Sequence, residues 1–292
     1  MSLGVPLGLG SGLCWGTADF FGGVQSRRLP ALTVAVWSQL AGAVVLAVAL
    51  AAQGVAPAPR AVALGLAAGL GGGTALLLFY RGLAEGAMSI VAPVSACGAV
   101  VPVAAAFLQG RAPSALALAG IAAAIAGVLL VSRTSHPGQH PGGRPALVLA
   151  MALASGLGFG LYYVLVDAGT EVPGATPLWV VAGGRGASLL LLLGVAAARR
   201  RPDRRGQDWR RARWPGRWLA PVALVGVADT TANLLFAYAA IHGNLGVVGV
   251  LGSLYPVATV LLARFVLCER LSGGQNAGVV LALVGVALLA AA

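Results

Sequence analysis

The segment VGVADTTANLLFAYAA, residues 225–240, is apolar at both ends and polar in its middle. Asp229 offers a carboxylate, Asn233 follows at i+4 and Phe236 at i+7, so on a helix the three share one face, which Thr230 extends. A carboxylate there binds a proton or an ammonium group. Arg185, in the apolar run 177–198, is the one arginine well inside a run, and its guanidinium matches a carboxylate. Two readings stay open for Arg185 and Asp229. They neutralise each other between neighbouring helices, or they open to take a zwitterion, Arg185 on its carboxylate and Asp229 on its amine or on a coupling proton.

Other chemistry is missing from the pattern. Cys14, Cys97 and Cys268 are far apart with no CxxC spacing, so neither a disulfide framework nor a metal centre is expected. His136 and His140 stand at i,i+4, but Pro137, Gly138 and Pro141 preclude a helix there. HExxH, GxSxG and a phosphate-binding glycine loop are all absent. The pattern is not that of an enzyme, and no cofactor is expected.

The composition says what surrounds these residues. Of 292 residues, 59% are hydrophobic and only 9% charged, against about 25% charged in soluble domains. The mean hydropathy is +0.89. Too few charges remain to cover a soluble surface, so the chain reads as an all-α polytopic membrane protein. The net charge of +11 comes from 19 arginines with no lysine, and nine of them lie between Arg199 and Arg217. That stretch, with Trp209 and Trp214 interleaved, reads as a loop resting on anionic headgroups rather than a nucleic-acid site. The first apolar run lacks a basic leader and a cleavage site, so it reads as a retained helix.

Breaks at Pro, Gly and charge clusters give ten spans of the length a bilayer needs: 3–24, 32–52, 61–82, 87–108, 114–132, 146–167, 177–198, 219–240, 245–267 and 274–291. The chain repeats itself. Ser11-Gly12-Leu13-Cys14-Trp15-Gly16 matches Ser155-Gly156-Leu157-Gly158-Phe159-Gly160 at an offset of 144, and Gly42-Ala43 matches Gly186-Ala187. Leu77-Leu78-Phe79 matches Leu234-Leu235-Phe236 at 157, and Gly127-Val128 matches Gly285-Val286 at 158. The offset jumps at the Arg-rich loop, an insertion in the second copy. Residues 1–132 are one five-helix repeat, 133–145 a Pro/Gly linker and 146–292 the second repeat. Five spans per copy is an odd number, so the copies run oppositely through the bilayer, as in many secondary transporters. The odd-numbered loops hold 15 arginines, the even-numbered ones only Arg60 and Arg111. The positive-inside rule then places both termini outside.

The spans carry aromatic side chains that could line an interior: Trp15, Phe79, Tyr80, Phe159, Tyr163, Phe236 and Tyr255 are candidate cavity walls, suited to small ligands and ammonium groups. Tyr162 adjoins Tyr163, so at most one of them points well inward. Asp19, five residues from the end of its span, reads as an interfacial helix-end residue. Pro93, Pro102 and Pro256 are candidate kinks and gates. Gly65, Gly69 and Gly73, like Gly120 and Gly127, read as close-packing faces.

Tyr255-Pro256, then Cys268-Glu269-Arg270-Leu271-Ser272, then the Gly-rich run to Gly285-Val286, resemble the EamA type of the drug/metabolite transporter superfamily. The resemblance covers the whole chain. The first copy departs from it, with Gly98 and Arg111 where the second has Pro256 and Glu269. The resemblance implies export of small metabolites, commonly amino acids, across the bacterial plasma membrane by alternating access. A multidrug or lipophilic-cation exporter is the nearest alternative. It would favour an acid without a basic partner, which Arg185 argues against. A non-transporting membrane enzyme or subunit is the other. Oligomeric state is not legible.

Overall fold

A computed structural model describes residues 3–108, 110, 112, 114–134, 144–198, 218–242, 251–252 and 255–292. The Arg-rich loop 199–217, most of the linker 133–145 and residues 245–250 and 253–254 of the expected span 245–267 lie outside the described residues.

Every regular element described is helical. In chain order these are α1 (Gly4–Arg28), α2 (Ala31–Gln53), α3 (Pro59–Glu85), α4 (Met88–Ala96), α5 (Val100–Leu108), α6 (Ala115–Thr134), α7 (Pro145–Thr170), α8 (Pro177–Ala198), α9 (Leu219–His242), α10 (Tyr255–Val266) and α11 (Gly273–Ala291). Local sequence explains many of the ends. Pro59 and Pro145 stand in a first turn, where the missing N–H costs nothing. Gly54 closes α2 in the left-handed conformation, at φ 64°. Ser272 and Gln275 form a reciprocal capping box on α11. α4 and α5 are one span, broken by the 3-10 turn Cys97–Ala99 between Pro93 and Pro102. Pro256 sits in the first turn of α10.

Six helices are long and apolar enough to cross a membrane: α2, α3, α4 with α5, α7, α8 and α9. Shorter apolar stretches run over Ala115–Leu130, Tyr255–Val266 and Gly273–Leu289. α1 has the length, 25 residues, but not the hydropathy. Its Gly, Ser and Gln residues are buried in the bundle instead of facing outward.

The exposure pattern is the reverse of a soluble protein's. Leu13, Val48, Leu190, Leu224 and Phe265 are each more than 60% exposed, whereas Ser11, Ser38, Arg185, Thr230 and Thr259 are buried. An apolar surface of that extent needs an apolar neighbour.

Each half packs mainly on the other. α1 lies along α9 and α3 along α7. α2 contacts α8 and α9, α3 contacts α8, and α6 pairs with α11. Small residues permit these crossings, as their spacing implies. A Cβ on Gly69 would strike the Gly184 carbonyl, and one on Gly73 would lie 2.7 Å from Ser188 Oγ. Gly120 and Gly285 face each other between α6 and α11 in the same way. The repeated SGLxxG stretches turn out to share a task. Gly12 and Gly16 of α1 lie against the backbone of Leu251 and Tyr255, and Gly156 and Gly160 of α7 against that of Ser95 and Gly98. Gly98 is thus small because α7 passes it at the break in the fourth span.

Cross-bundle contacts sort the loops by end. At one end Arg28 lies 5.2 Å over the Trp218 ring, and Arg27 reaches Gly86 and Glu269. At the other, Trp179 Nε1 donates to the Val55 carbonyl at 2.7 Å.

Candidate functional site

α8 and α9 carry the ion pair. Arg185 Nη2 and Asp229 Oδ2 are 2.6 Å apart, and their side chains are 7% and 31% exposed. The arginine is therefore sunk and the carboxylate reaches open space. α2 makes room for them at Gly42, where a Cβ would sit 3.3 Å from Arg185 Cζ and run into Thr230 Oγ1. Thr230 is fully buried, and among the described residues its hydroxyl has no hydrogen-bond partner. Asn233 does share the face of Asp229, but its Nδ2 donates to the Asp229 backbone carbonyl at 2.7 Å rather than to the carboxylate.

The aromatic residues form two groups. Trp15 of α1 meets Phe236 of α9, ring centroids 5.6 Å apart, and Tyr255 of α10 at 6.5 Å. Phe79 of α3 meets Phe159 of α7 at 5.8 Å and its neighbour Tyr80 at 6.3 Å. Phe79 and Tyr80 are both buried. The Tyr80 ring lies over Gly22 of α1, where a Cβ would be 2.7 Å from it, and the phenol comes close to Ser38 of α2. Tyr163 is 45% exposed and yet within electrostatic reach of Asp19, Tyr162 and Asp229.

Two residues stand where spacing did not put them. Tyr162 covers Gly72 and Gly184 beside Arg185, so both adjoining tyrosines border the site. Asp19 is not at a helix end. α1 continues to Arg28, which sets Asp19 nine residues inside it, within electrostatic reach of Asp229, Tyr80, Tyr163 and Tyr255. The expected span 3–24 stopped too early because Arg27 and Arg28 looked like loop residues; both are helical, and Arg27 is held by protein groups.

Those groups form a second polar centre at the end of the bundle. Glu269 accepts from Arg27 Nη2 at 2.8 Å, from the backbone N–H groups of Met88 and Ser89 at 3.1 and 3.0 Å, and from Ser89 Oγ at 2.9 Å. Arg27 also donates to the carbonyls of Leu83 and Gly86. Glu269 thus supplies the first turn of α4 with the acceptor its own segment lacks. Cys268, before it, has φ 53°, a conformation few non-glycine residues adopt, and the turn aims Glu269 across the bundle. Sequence could have hinted at this: no residue at 85–88 offers a side-chain N-cap to a helix beginning at Met88.

Among the described residues no His/Cys/Asp/Glu group could hold a metal ion. Arg185, Asp229, Asp19 and the surrounding rings are instead a set that can hold opposite charges on one small organic molecule.

The sequence pattern of the EamA-like transporter family matches residues 2–133 and again 146–291, one match per repeat. The chain belongs to the EamA-like transporter family. It is accordingly a multi-pass membrane transporter of the drug/metabolite transporter superfamily, and transport of small solutes across a lipid bilayer is what its family does. A solved structure, described only as the crystal structure of a protein, is similar over 98% of this chain and 95% of its own, at 23% identity and a TM-score of 0.60. That likeness concerns the fold. Among curated proteins none matches.

Proposed function

We propose that the chain is a secondary exporter of small metabolites, amino acids foremost, in the bacterial plasma membrane. Ten spans form two inverted five-helix repeats that rock about a central site, with both termini outside and the loop 199–217 on anionic headgroups of the inner face. The observation that carries this reading is the Arg185–Asp229 pair, arginine buried and carboxylate open, inside an aromatic-lined bundle. A zwitterion fits it: its carboxylate displaces Asp229 from Arg185 and its ammonium meets a carboxylate and the faces of Trp15, Phe236 and Tyr255. Phe79, Tyr80, Phe159, Tyr163 and Asn233 complete the wall. Pro93, Pro102 and Pro256 are where the fourth and ninth spans flex. Asp229 is a candidate for proton coupling.

Counterflow in proteoliposomes loaded with pooled amino acids tests this. Wild type exchanges; Arg185→Ala and Asp229→Asn, shown to be folded, do not. Absence of exchange in wild type removes the amino-acid assignment.

A second reading, export of lipophilic cations, is favoured by Asp19, an interior acid for which no basic partner is present among the described residues. Uptake of a permanently charged aromatic cation in competition with the amino-acid pool separates the two.

A further inference from the structure

The charges in the middle of the bundle do not balance. Among the described residues they are Asp19 on α1, Arg185 on α8 and Asp229 on α9, a formal sum of −1. Arg185 and Asp229 satisfy each other at 2.6 Å. Asp19 has neither an ion-pair nor a hydrogen-bond partner there. The remaining charged side chains of the helices stand near their ends, as Arg81 and Glu85, paired at 3.8 Å, do on α3. An uncompensated carboxylate in a low-dielectric interior is strongly disfavoured, so the resting site is one positive charge short.

We infer that Asp19 is the cation-accepting carboxylate of this site, taking a proton and the ammonium group of substrate in alternation, while Asp229 serves to hold Arg185. The inference rests on reading the interior as a substrate site. Three observations carry it besides the charge count. Asp19 is one turn from Trp15, on the same face of α1, and Trp15 lies tilted against Phe236 and edge-on to Tyr255. Those rings suit an ammonium group. Second, the groups within electrostatic reach of Asp19 are an acid and phenols: Asp229 on α9, Tyr80 on α3, Tyr163 on α7 and Tyr255 on α10. None supplies a positive charge. Third, the Asp229 side chain is 31% exposed and Tyr163 is 45% exposed, so neither is sealed off by its protein neighbours. Proton and ammonium compete for the same missing charge, and such competition makes one site exchange the two.

Difference infrared spectra of the purified full chain in nanodiscs, acidic against neutral buffer, test this without requiring transport. The expected result is a protonated-carboxyl band that Asp19→Asn removes, Asp229→Asn keeps and Asp19→Glu shifts. Phenethylamine, an aromatic monoamine without a carboxylate, should reduce the band in wild type. A band that survives Asp19→Asn, or that Asp229→Asn removes instead, overturns the assignment. A band untouched by phenethylamine overturns the competition. Should Asp19→Asn fail to fold, the Asp19→Glu shift still decides. Loss of the band on Asp19→Asn in a protein that exchanges no amino acid would leave this inference standing and remove the amino-acid reading alone.

Discussion

The two repeats use the same aromatic joint and load it differently. At one joint between the repeats Trp15 of α1 meets Phe236 of α9 at 5.6 Å; at the other Phe159 of α7 meets Phe79 of α3 at 5.8 Å. These four are repeat mates, 15 with 159 and 79 with 236. One turn further along, the equivalence stops. Asp19 has Tyr163 as its mate, Asp229 has Gly72 and Arg185 has Ala41. Gly72, having no side chain, lets the Tyr162 ring lie against α3 where the other half holds a carboxylate. Duplication therefore supplies the frame, in which close helix packing must work twice. The charged chemistry needs only one copy, because a single bound molecule has one cationic and one anionic end.

Breaking the charge asymmetry should have the largest effect. Arg185→Ala leaves Asp229 without its partner and should lower stability by about 3–5 kcal/mol, read as the melting temperature in detergent. Adding Asp229→Leu should recover part of that loss, since the pair is coupled. Recovery of nothing would mean the two act separately.

Glu269→Gln comes next. It keeps one carbonyl acceptor for the first turn of α4 but removes the charge opposite Arg27. A loss of about 1.5–3 kcal/mol is expected, and α4's first amides should lose hydrogen-exchange protection before the rest. The first repeat has Arg111 at the matching place, so Arg111→Gln should not produce that protection loss.

A pair of glycine mates gives a sharper comparison. Gly42→Ala runs into Thr230 and crowds Arg185, whereas Gly186→Ala meets nothing within 4 Å. The first should cost about 1–3 kcal/mol; the second should be neutral or slightly stabilising, because Ala favours helix over Gly by roughly 0.5–1 kcal/mol. Equal melting temperatures would contradict the tight fit of α2 over the ion pair. The smallest effect is expected of Trp15→Phe, which makes the two aromatic joints alike. Stability should change by less than about 1.5 kcal/mol, and any change in counterflow should fall on apparent affinity.

Much was legible before any coordinates. Composition identified the bilayer as solvent. The SGLxxG repeat and the Gly-Val ends marked two copies, and the depths of Arg185 and Asp229 on neighbouring antiparallel spans allowed a pair without deciding one. Glycine spacing marked the packing faces. These follow from sequence because hydropathy, periodicity and helical rise are local: each residue's contribution is set by its type and its distance along the chain. What only the tertiary structure decided is which distant groups meet. Asp19 looked interfacial because two arginines seemed to end its helix; the carbonyls of Leu83 and Gly86 and the Glu269 carboxylate hold Arg27, and α1 runs on. Glu269 looked like a motif residue without a task until α4's amides were found against it. Asn233 shares a face with Asp229 yet turns its amide to the backbone, a choice between nearby acceptors that spacing does not rank. An isolated carboxylate, a cap from another segment and a ring lying on a glycine are all settled by helices crossing at a few ångströms, and one-dimensional spacing carries no record of that distance.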